Sequence, residues 1–186
     1  LGGLDPVTLT CFRFAVAAMF MLVWLAARRQ LGAYRGLQRR DGLWLLLASV
    51  LLLGNYVGYL LGVHYTTPGN AQLLIQLAPL LMALGGIWIF KESYTRGQWL
   101  GLAVIATGLA LFFSDQLQGA VNAGSTYVLG SAIVGAASVS WAAYALIQKQ
   151  LLLKLDSSHI LTAIYIFSAL LLWPFAHPSR LFALDG

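Results

Sequence analysis

Gln72, Gln76 and Pro79 stand at i, i+4 and i+7 of one apolar run, so a helix carries all three on one face. Pro79 has no N–H and frees the carbonyl of Ile75, which predicts a kink and a hinge there. Two side-chain amides and a freed carbonyl can hydrogen-bond a zwitterionic or polar solute; the same glutamines can instead bond neighbouring helices. In the preceding run Asn55 and Tyr59 share a face at i, i+4, with Tyr56 beside them. Ser138, Trp141 and Tyr144 form a helical stripe further on, and such aromatics can wall a cavity and stack on a solute. Trp24, Trp44, Trp99 and Trp173 lie nearer the ends of apolar runs, where interfacial aromatic belts form.

Arg13 is the one full charge well inside a run, about 9 Å from its start at 1.5 Å per residue. Either it snorkels to the headgroups, because helical side chains lean toward the N-terminus, or it lines a cavity and attracts a carboxylate. Asp5, Asp41, Glu92, Asp115, Asp156 and Asp185 all lie outside the deep parts of the runs, so this portion offers no buried acid for proton coupling. Glu92 beside Lys91 and Arg96 reads as a structural ion pair. His64, His159 and His177 are dispersed, and Cys11 is the lone cysteine; neither a metal site nor a cofactor site is expected. No nucleophile with a base, and no pair of acids, appears at depth, so an enzyme is not expected.

The elements that position these residues are six apolar segments: Val7–Ala27, Leu43–Val63, Ala71–Phe90, Trp99–Phe113, Leu129–Ile147 and Ile160–Phe175. A hydrocarbon core of about 30 Å takes about 20 helical residues. The first three meet that length, and flanking Gln98, Tyr127 and Gln148 extend the others. With 60% hydrophobic and 9% charged residues, and runs such as Leu43–Leu53 with no polar face, a soluble bundle is excluded. The fold class is an all-α polytopic membrane protein. Arg28, Arg29, Arg35, Arg39 and Arg40 fill the first gap, Lys91 and Arg96 the third, Lys149 and Lys154 the fifth. Gaps two and four contain no Lys or Arg. Loops 28–42, 91–98 and 148–159 are therefore predicted to be cytoplasmic, and the first span to enter from outside. The net charge of +5 follows from this bias. The loop arginines then face anionic lipid of the bilayer, and no nucleic-acid partner is expected.

Thr67-Pro68 predicts an N-cap and N1 pair opening the third span, and Thr95 with Gln98 a capping box opening the fourth. The short gap between these spans predicts a tight antiparallel hairpin. Residues 114–128, rich in Gly, Asn and Ser, are expected to be an extracytoplasmic linker between two halves. Leu4-Asp5-Pro6-Val7-Thr8-Leu9 before span one echoes Leu155-Asp156-Ser157-Ser158-His159-Ile160 before span six. Those spans run in opposite directions, so the echo implies an inverted repeat, a transporter signature. Gly54, Gly58 and Gly62, Gly97 and Gly101, and Ser131 with Gly135 are small-xxx-small steps expected at close helix contacts.

Tyr65-Thr66-Thr67-Pro68-Gly69-Asn70-Ala71-Gln72-Leu73-Leu74, then Ala78-Pro79, Lys91-Glu92, Gly101-Leu102 and Thr107-Gly108, resembles the EamA domain of the drug/metabolite transporter superfamily. Arg13-Phe14 is similar to the Arg-Phe pair of that family's second helix, and Ser140-Trp141-Ala142-Ala143-Tyr144 to the first helix of its second repeat. The resemblance implies ten helices in two inverted repeats of five, of which this chain supplies helices two to seven. Residues 1–113 would be the first repeat without its first helix, and residues 129–186 the start of the second. It also adds Gly108 to the glycines of helix packing.

Together these features predict a transporter of a small metabolite such as an amino acid, exporting it across a bacterial inner membrane by alternating access. Arg13, Asn55, Tyr59, Gln72, Gln76, Trp141 and Tyr144 are the expected solute contacts. A structural or assembly subunit without transport is the alternative, and an intramembrane enzyme a more distant one. Substrate and oligomeric state are not specified by these residues.

Overall fold

The computed structural model describes the backbone of residues 6–176 and the side chains of residues 7–114 and 125–176. Six helices follow in order: α1 (Pro6–Ala27), α2 (Arg39–Tyr65), α3 (Pro68–Leu74), α4 (Leu77–Phe90), α5 (Arg96–Leu151) and α6 (Ser157–Leu172). A short 3-10 helix, Leu31–Gly36, joins α1 to α2. Six stretches are long and apolar enough to cross a bilayer: Val7–Ala27, Arg39–Tyr65, Pro68–Phe90, Arg96–Ser114, Ser125–Leu151 and Ser157–Phe175. Large apolar side chains such as Phe20, Trp88, Leu100 and Leu170 stand exposed on these helices. That is the surface a bilayer solvates and water does not. The chain is an all-helical polytopic membrane protein. Arg180, His177, Asp5, Asp185, the side chain of Asp115 and the Leu4–Asp5 start of the echo lie outside the described residues.

The chain divides into two compact units, one of residues 1–50 with 147–186 and one of residues 51–146. In the first, α1 packs antiparallel to α6. The Cys11 thiol donates to the Ala169 carbonyl at 3.6 Å, and Phe14 stacks on Tyr165. The first turns of α2 run parallel to α6: Asp41 meets Lys154 at 2.7 Å, and Ser49 Oγ lies 3.4 Å from the Ile164 carbonyl. Tyr34 donates to the His159 carbonyl at 2.8 Å; burial pushes its phenol above the ordinary range, so it remains a donor.

The second unit packs on small residues. A Cβ at Gly58 would stand 3.1 Å from Ala137 Cβ, and one at Gly62 would collide with Val134. Contacts run Gly54 to Ser140, Gly58 to Ala137 and Gly62 to Val134, so α2 is antiparallel to the second half of α5. The α3–α4 span runs parallel to it, through Asn70–Ser131 and Ser138–Leu74. At Gly97, Gly101, Gly108 and Gly135 no described atom lies within 4 Å of a Cβ built on the glycine. A small-xxx-small step marks a face able to pack, but carries no information on which neighbour fills it.

Both predicted N-termini are capped. Thr67 accepts the Asn70 N–H at 3.2 Å with Pro68 behind it. Thr95 and Gln98 exchange reciprocal bonds of 2.8 Å and 3.3 Å. The helix ends are less usual. Arg29 and Lys91 close α1 and α4 in the left-handed conformation, at φ 55° and 54°. Gln30 N–H bonds the Leu25 carbonyl and Arg29 N–H the Ala26 carbonyl, the paired pattern normally built on glycine.

The backbone is helical without interruption from Arg96 to Leu151, including 114–128, the segment expected from the sequence to link two halves. Straight, 56 residues would measure about 84 Å at 1.5 Å each. Yet Phe112, Phe113 and Val134 all pack in one cluster with Ala71 and Leu74. A straight helix would separate Phe113 from Val134 by about 32 Å. The segment between them therefore departs sharply from a straight helix.

Candidate functional site

The third span is broken where Pro79 lies. Helix α3 stops at Leu74, residues Ile75 and Gln76 form a turn, and α4 begins at Leu77. Pro79 can neither donate to the Ile75 carbonyl nor tolerate it in helical register, so the preceding turn tightens. The Ile75 carbonyl is not freed, contrary to the sequence expectation. It accepts the Ala78 N–H at 3.0 Å, and Gln76 N–H reaches back to Leu73 at 3.1 Å. The acceptor in need of a partner moves to Leu74, where Ser138 Oγ approaches its carbonyl at 3.1 Å and that of Val134 at 2.9 Å. Ser138 thus serves the break.

Around the break one face of the span is packed and the other open. Ala71, Leu74, Ile75 and Ala78 are buried, whereas Gln72, Gln76 and Pro79 are exposed. Tyr59 on α2 donates to Gln72 Oε1 at 3.2 Å, which joins two of the expected solute contacts at the edge of the open face. Asn55 is committed elsewhere: its amide donates to the Ala137 carbonyl at 3.0 Å and ties α2 to α5. Trp141 is part-exposed on α5 and Tyr144 is buried. Arg13 belongs to the other compact unit and is exposed on α1.

Asn70, present in the sequence only as part of a motif, bridges two elements of this unit. Its Nδ2 donates to Thr66 Oγ1 at 2.6 Å and to Ser131 Oγ at 2.8 Å, pinning the α2–α3 corner to α5. Its Oδ1 is buried with no hydrogen-bond partner. The signal was an Asn directly after Thr-Pro-Gly at a helix start, where capping accounts for the backbone but not for the side chain. No group of three metal-ligating side chains occurs among the described residues.

Residues 1–114 match the model of the EamA-like transporter family. The chain belongs to this EamA-like transporter family. An uncharacterized transporter of Haemophilus influenzae is 33% identical over 97% of this chain and 58% of its own length. The uncharacterized inner membrane transporter YhbE of Escherichia coli is 31% identical over 94% of the chain and 55% of its own. An uncharacterized transporter of Archaeoglobus fulgidus is 28% identical over 95% and 59%. The chain thus spans a little over half the length of these relatives. No solved structure matches it. The EamA match takes in α1 to α4 and the first span of α5, hence the broken span and its open polar face.

Proposed function

We propose that this chain is part of a carrier that exports a small polar or amphipathic metabolite, such as an amino acid, across a bacterial inner membrane by alternating access. One observation carries this reading: Gln72, bonded to Tyr59, and Gln76 occupy an open face beside the Ile75–Gln76 break. Amides facing hydrocarbon are costly, so this face calls for polar surroundings. A discontinuous helix beside a polar face is where transporters bind solute.

Gln72, Gln76 and Tyr59 contact the solute; Trp141 supplies aromatic surface, with Tyr144 buried behind it on the same helix, and Asn55 fixes the wall; in the other unit, Arg13 attracts carboxylates by its charge. Pro79 sets the hinge. Residues 1–113 and 129–186 belong to two inverted repeats, residues 114–128 link them on the extracytoplasmic side, and loops 28–42, 91–98 and 148–159 are cytoplasmic. The names of the relatives support transport and an inner-membrane location; the outward direction rests on the family resemblance.

The test is counterflow of a panel of radiolabelled amino acids in vesicles containing the full-length protein. The Gln72→Leu/Gln76→Leu variant, at normal expression, should lose at least about tenfold of the flux, the equivalent of one lost hydrogen bond to solute of about 1.5 kcal/mol. Unchanged flux removes the glutamines from the site. No flux above empty vesicles for the parent favours a structural subunit.

A further inference from the structure

The α1–α2 connection and the first turn of α2 are held to the α5–α6 turn and the start of α6 by three polar contacts in one unit. Asp41 is buried, with 6% of its side chain exposed, whereas Lys154 is half exposed and reaches in to 2.7 Å. The second carboxylate oxygen of Asp41 accepts the Gln38 N–H at 3.2 Å, which fixes the acid to the first turn of α2. Beside this pair, Tyr34 donates to the His159 carbonyl at 2.8 Å and its ring meets the imidazole edge-on. His159 Nε2 lies 3.0 Å from the Gln30 carbonyl, and its Nδ1 faces Asp156 at 3.8 Å, beyond hydrogen-bond reach.

A buried acid satisfied by a half-exposed amine is an asymmetric bond. If the amine leaves, water must reach the carboxylate, because an unpaired buried charge is the costly state. The segments it joins, 28–42 and 148–159, carry the basic residues that place them on the cytoplasmic side.

We propose that Asp41–Lys154 is a latch holding the cytoplasmic end of this unit shut, released when the carrier opens inward. It rests on the transport reading for its place in the cycle. Leu155, buried next to Lys154, reports its state.

The experiment uses the full-length protein in inside-out membrane vesicles, with native cysteines replaced, Cys11→Ala among them, and Leu155→Cys introduced. A membrane-impermeant maleimide should label this cysteine slowly. Lys154→Gln and Asp41→Asn should each raise the labelling rate at least about tenfold, the change given by 1.4 kcal/mol of lost closure. Lys154→Arg, which keeps the charge, should label as slowly as the parent. Lys154→Gln changes a half-exposed side chain, and unaltered size-exclusion elution checks its fold. Labelling of Lys154→Gln at the parental rate overturns the latch, whatever the flux. Fast labelling of that variant with no counterflow from any form overturns the transport reading and leaves the closure standing.

Discussion

Phe14 of α1 and Tyr165 of α6 stack with centroids 5.6 Å apart and planes 20° from parallel. Tyr165 follows Phe14 by the same number of residues as Leu155 follows Leu4, so the two rings are counterparts under the sequence echo. The same offset takes Cys11 to Thr162 and Ala18 to Ala169. Cys11 bonds Ala169, and Ala18 and Thr162 are both buried. A residue stacked on its own counterpart is what a two-fold axis between inverted repeats requires.

If that axis exists, the environments of Phe14 and Tyr165 are interchangeable. The exchange Phe14→Tyr/Tyr165→Phe should keep stability within about 1 kcal/mol, whereas Phe14→Ala should cost about 3–5 kcal/mol by core precedent. Thermal melts of the detergent-solubilised full-length protein measure both. An exchange as damaging as the truncation would remove the axis.

The departure from a straight helix within α5 predicts sidedness. A cysteine at Gly119 should react with an impermeant maleimide from outside, while cysteines at Gln98 and Gln148 should react from the cytoplasmic side. Gln98 and Gln148 on opposite faces would mean that α5 crosses the bilayer once.

Glycines should separate by their surroundings. Gly62→Ala drives a methyl into Val134 and should cost about 1–3 kcal/mol as overpacking. Gly101→Ala meets open space and should be neutral or gain up to about 1 kcal/mol from helix propensity. Equal losses at both positions would refute the packing described for α2 and α5.

Pro79→Ala adds an N–H that can take the Ile75 carbonyl in helical register, in place of the Ala78 N–H, and removes the ring that breaks the span. Stability should hold or rise while counterflow falls several-fold. Full counterflow in a stable variant would show that the hinge lies elsewhere. Ser138→Ala strands the Leu74 carbonyl and should destabilise by about 1–3 kcal/mol, read in the same melts.

Spans were legible because bilayer thickness dictates run length, and the kink because proline chemistry is local. The caps at Thr67 and Thr95 were legible for the same reason. Hydrogen-bond partners were not: Ser138 finds Leu74, and Asn70 finds Ser131, across interhelical registers that no local pattern records. The same gap applies to Gly97, Gly101 and Gly108, whose spacing resembles that of Gly54, Gly58 and Gly62 but whose Cβ positions meet no described atom within 4 Å. The helical backbone of 114–128 was missed because Gly, Asn and Ser weaken a helix without forbidding it.

Arg29 and Lys91 terminate their helices in a backbone conformation that costs a side-chain-bearing residue about 1–2 kcal/mol relative to glycine. On the proposed topology both also belong to the loops whose positive charge orients the protein during insertion. Glycine would relax the native turn but erase a charge read before any turn exists. On that topology, these two positions give up equilibrium stability for correct biogenesis.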